Sequence, residues 1–72
     1  MILRIDKNSF YNMSSGMKYY IARIEDDYQF VMQDINKRLW IIYRGSIGSC
    51  EKLLELTFNE LGGYDFRSKI NS

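Results

Sequence analysis

Alternation of apolar and polar positions opens the chain. Leu3 and Ile5 fall on one side of Ile2–Ile5, and Ile2 and Arg4 on the other, which predicts a short strand. Asn8, Ser9, Asn12, Ser14, Ser15 and Gly16 then cluster, predicting a loop over residues 6–16 that Phe10, Tyr11 and Met13 pin to the body. Met17–Ile24, Tyr28–Ile35 and Arg38–Arg44 are β-branched or aromatic at most positions and predict three strands. Glu25-Asp26-Asp27 supplies the first turn. Asn36-Lys37 supplies the second, with Asn36 taking the positive φ of a two-residue hairpin.

A three-residue first loop and a two-residue second loop set the register, and register decides which side chains share a face. They place Tyr20, Ala22, Ile24, Tyr28, Phe30, Met32, Leu39, Ile41 and Tyr43 together as a core layer, with Asp34 at its rim beside the turn. The period changes after Arg44. Cys50, Leu54, Thr57 and Leu61 line one face of a helix, flanked by Ile47, Leu53 and Phe58. Ser49 is its expected N-cap and Gly62-Gly63 its stop, while Leu56 falls on the polar side. Tyr64–Ile70 alternates and predicts a last short strand or an ordered tail. The fold class is α+β: an antiparallel sheet of three to four strands packed on one C-terminal helix, a two-layer sandwich in a single domain over 1–72.

One helix covers one face of a sheet. The same register leaves Tyr19, Ile21, Arg23, Gln29, Val31, Gln33, Trp40, Ile42 and Arg44 on the other, with Arg38 near the end. An apolar patch edged by polar groups marks an interaction site, and Trp, Tyr and Arg are its usual anchors. The expected partner-binding residues are therefore Tyr19, Ile21, Arg23, Val31, Trp40, Ile42 and Arg44. Internal cover by the N-terminal loop or the tail is the competing explanation.

Composition narrows the chemistry. The 72 residues include no histidine and one cysteine, with one Trp, six Tyr and four Phe in a 46% hydrophobic chain. That content opposes disorder. It also removes the side chain that titrates near neutral pH and the His/Cys sets that build most zinc sites. A lone Cys50 forms no internal disulfide, so a reducing, cytoplasmic setting is expected. No apolar run reaches the roughly 20 residues of a membrane helix, and the first fifteen residues lack signal-peptide order. The net charge of +1 ranks nucleic acid behind protein as a partner.

Local motifs are weak. Gly45 and Gly48 sit before the helix, but their spacing fits neither GxxxxGK[ST] nor GxGxxG, so a plain strand-to-helix turn explains them. Cys50 near a helix start has no histidine to serve as base and falls on the core-facing side. Glu25, Asp26 and Asp27 lack the ligand spacing of a calcium loop and belong to a solvated turn. No catalytic residues, cofactor or metal site are expected. The expectation is a small, non-enzymatic protein-binding factor, of the kind phages or mobile elements use to inhibit a host protein or defence complex. A nucleic-acid-binding or transcription-modulating module, with Arg23, Arg38 and Arg44 on phosphates, is the alternative. A structural homodimer is the third.

Overall fold

A computed structural model describes residues 1–62. Five antiparallel strands follow one another in space as in sequence: β1 (Ile2–Asp6), β2 (Ser9–Asn12), β3 (Met17–Ile24), β4 (Asp27–Gln33) and β5 (Leu39–Gly45). The helix α1 (Ile47–Glu60) packs on one side. The α+β class and the C-terminal helix agree with the sequence pattern, and the strand count exceeds the expected three to four. The tail from Tyr64 to Ile70 lies outside the described residues.

The extra strand comes from the segment expected to be a loop. Ser9–Asn12 pairs with β1 on one side and β3 on the other, with Phe10 opposite both Arg4 and Tyr19. Polar turn formers surround this strand but do not fill it. Asp6 accepts from the Asn8 backbone and Asn12 from the Ser14 backbone, so the Asx turns lie at its two ends. Phe10, fully buried, is the centre of the core: it stacks on Tyr19 with ring centroids 4.7 Å apart and meets Phe58 edge-on at 5.2 Å. Cys50, Leu54 and Phe58 of α1 and Phe30 of β4 complete the cluster. Full burial stabilises each large apolar side chain by roughly 1.5–3 kcal/mol, so this cluster dominates the fold.

The first hairpin corrects the expected register. Ile24 pairs with Asp27, so the loop is the two residues Glu25-Asp26, and Glu25 takes φ 54°. Shortening the loop by one residue turns β3 over relative to β4. Tyr19 and Ile21 therefore face the helix opposite Met32 and Phe30, whereas Tyr20, Ala22 and Ile24 join the far face. Tyr28, Phe30 and Met32 keep their expected core side.

The second connection spans residues 34–38, with Lys37, not Asn36, at positive φ. Asp34 organises it by accepting from the Asn36 and Arg38 backbones and from Arg38 Nε. A bulge at Ile42 then absorbs one residue: Val31 pairs with Ile41 but Phe30 with Tyr43. Tyr43 thus sits on the helix side as expected, while Leu39 and Ile41 turn to the far face and Trp40, opposite Met32, to the helix side.

The helix starts earlier than expected. Ser46 is the N-cap, and its hydroxyl accepts from the Ser49 backbone at 3.2 Å. Gly62, at φ 80°, ends the helix by donating to the Asn59 carbonyl. α1 crosses β3, β4 and β5, and its second half reaches the other edge of the sheet. There Arg4 Nη2 donates to both Glu55 oxygens at 2.7 and 2.9 Å, with its guanidinium 4.2 Å above the Phe58 ring.

Candidate functional site

The seven residues expected to form one surface divide among four locations. Tyr19, 9% exposed, is in the core, and burial pushes its phenol pKa up. Ile21 packs against the same cluster. The hairpin slip carries both to the helix side, which buries Tyr19 and half-buries Ile21. Arg23, opposite Tyr28 near the end of β3, is on the helix side yet exposed. Val31 is on the far face as expected, but only 2% exposed between its neighbours Tyr20 and Ile41. Trp40, Ile42 and Arg44 remain exposed, and all three belong to β5.

β5 is the feature that the face argument missed. It is an edge strand, with β4 as its only neighbour among the described residues. Every side chain from Leu39 to Arg44 is exposed. The five consecutive apolar side chains Leu39, Trp40, Ile41, Ile42 and Tyr43 are 37–56% exposed. Alternation sends Trp40 and Tyr43 past the rim of the helix layer and Leu39 and Ile41 to the far face, so the strand offers both sides as well as its backbone edge. Tyr43 folds back over Gly45, where a Cβ would meet its ring at 2.8 Å. That glycine makes room for the ring as the chain turns toward α1. The signal in the sequence was the unbroken run Leu39–Tyr43: a strand with one covered face should alternate, and this one does not.

The sheet face opposite α1 continues inward from this edge, with Val31 and Ser9 buried in its middle. One cross-strand row runs Leu3, Tyr11, Lys18, Gln33, Leu39, and the next runs Ser9, Tyr20, Val31, Ile41. No described helix or strand lies over these rows. The Lys18 ammonium sits 5.5 Å from the Tyr20 ring centroid. An open depression of about 550 Å³ beside the β1–β2 turn is lined by Asp6, Lys7, Asn8, Ser9, Lys18, Tyr20 and Ile21, and Asn8 Oδ1 has no hydrogen-bond partner there. Its wide mouth does not enclose a small molecule.

The charged groups at the site are largely matched. Arg44 Nε lies 3.5 Å from Asp27 and its Nη2 4.0 Å from Glu25, which accounts for two of the three hairpin acids. Arg38 pairs with Asp34 at 3.0 Å, and the Arg38 backbone and guanidinium hold the Asp34 carboxyl below the usual carboxylate range. Cys50 is fully buried, and desolvation raises its thiol pKa, which makes it a poor nucleophile. Among the described residues, no three His, Cys, Asp or Glu side chains cluster to hold a metal ion, and no helix is long and apolar enough to cross a membrane. Comparison with protein-family models, curated proteins and solved structures finds no match to this chain.

Proposed function

We propose that this chain is a small, non-enzymatic protein-binding factor whose working surface is the β5 edge and the sheet face opposite α1. The observation that carries this reading is the five-residue apolar run, Leu39–Tyr43, exposed along a strand whose only neighbour among the described residues is β4. Soluble proteins blunt such edges with Lys, Pro or inward charges, because an unpaired strand is a template for another chain. Between Leu39 and Tyr43 β5 carries no charge and no Pro, and its one device of this kind is the bulge at Ile42. Extended segments of partner proteins dock on edges of this type, with backbone hydrogen bonds for affinity and alternate side chains for specificity. Trp40 and Tyr43 are the natural anchors.

The pairing of the arginines supports protein over nucleic acid. Two of the three arginines expected to reach phosphates, Arg38 and Arg44, already face acids of their own chain. A nucleic-acid surface keeps such cations free for the backbone.

The test is titration calorimetry with a purified protein captured by this chain from its native cell. Ile41→Lys should weaken binding at least about tenfold while Lys52→Ala leaves it unchanged, and raising salt from 50 to 200 mM should alter affinity little. Binding indifferent to Ile41→Lys sinks the proposal. So does a steep fall with salt that follows copurified nucleic acid.

A further inference from the structure

We draw no further inference here: the strongest candidate, the exposed apolar run Leu39–Tyr43 on the edge strand β5, belongs to the site already described, and nothing in the structure shows what occupies it.

Discussion

Phe10 was expected in a loop and stands at the centre of the core, so its substitution tests the fold directly. Phe10→Leu keeps an apolar side chain but removes ring atoms from a site with no solvent exposure. Two aromatic pairs are lost with the ring, the stack on Tyr19 at 4.7 Å and the edge contact to Phe58 at 5.2 Å, each contributing about 0.5–1.5 kcal/mol. With the unfilled volume, the total loss is about 2–3 kcal/mol. A chain of this length has roughly 4–10 kcal/mol in hand, so the variant should still fold. Urea unfolding followed by far-ultraviolet circular dichroism suits the measurement. With a slope of about 1 kcal/mol per molar for so small a domain, the midpoint should fall by about 2–3 M. Tyr11→Leu is the internal control: its side chain is on the opposite face, partly exposed, and its loss should stay below about 1 kcal/mol. Equal, mild effects at the two positions would refute β2 as a core strand, since a pinned loop would use both rings alike.

Trp40, 50% exposed at the sheet edge, should cost about 1 kcal/mol or less as Trp40→Ala in the monomer, whereas Leu54→Ala beneath the helix should cost about 2–5 kcal/mol; the same urea curves at low protein concentration compare them. Arg4→Ala removes both the Glu55 pair and the cover over Phe58, and because both charged groups are partly exposed its effect should stay near 1 kcal/mol and shrink only in part with added salt. The carboxyls of Asp34 and Asp6 titrate lower in the folded state than unfolded, chiefly because each accepts a backbone N–H, from Arg38 and Asn8 respectively. The folded state therefore binds fewer protons near pH 4, so their contribution is present above the unfolded value of about 3.9 and is lost as pH falls through the folded one. Unfolding midpoints from pH 7 to 2 should drop across that window, and the drop should be smaller in Asp6→Asn/Asp34→Asn; an unchanged profile would contradict the assignment.

Most elements of this fold were legible because their signals are local. The helix declared itself through the spacing of Cys50, Leu54, Thr57 and Leu61, and Gly62 marked its end, although Phe58, expected at the flank, is buried and Leu61 is exposed. The N-cap moved because Ser46 and Ser49 are both competent caps three residues apart, and their hydroxyls in fact bond to each other at 3.0 Å. β2 was hidden because four residues flanked by Asx turns contain too few positions to reveal a period, and its burial comes from the neighbours of Phe10. Register was the least legible property. In β3 both faces are apolar, Tyr19 and Ile21 on one and Tyr20, Ala22 and Ile24 on the other, so pattern alone does not choose between them. The choice fell to the turn, where Glu25 accepts a positive φ that favours Asn or Gly, and nothing in its chemistry advertises that.

The candidate site survived this error in part, for a physical reason. β4 kept its expected orientation, and the bulge at Ile42 restored the expected pairing of Tyr43 with Phe30 after Leu39, Trp40 and Ile41 had each paired one residue out of register. A slip in β3 exchanges core for surface because α1 covers one of its faces. A slip in β5 exchanges one open side for another, because the helix leaves both sides of that edge exposed. Trp40, Ile42 and Arg44 therefore remain accessible whichever way the strand is turned, while Tyr19 is buried and Ile21 half-buried. Accessibility at β5 follows from its place at the end of the strand order, and that order comes from the sequential antiparallel hairpins of the chain. The property that makes this strand hard to assign to a face, apolar character at every position from Leu39 to Tyr43, is also what an edge needs to hold a partner on both sides of its backbone.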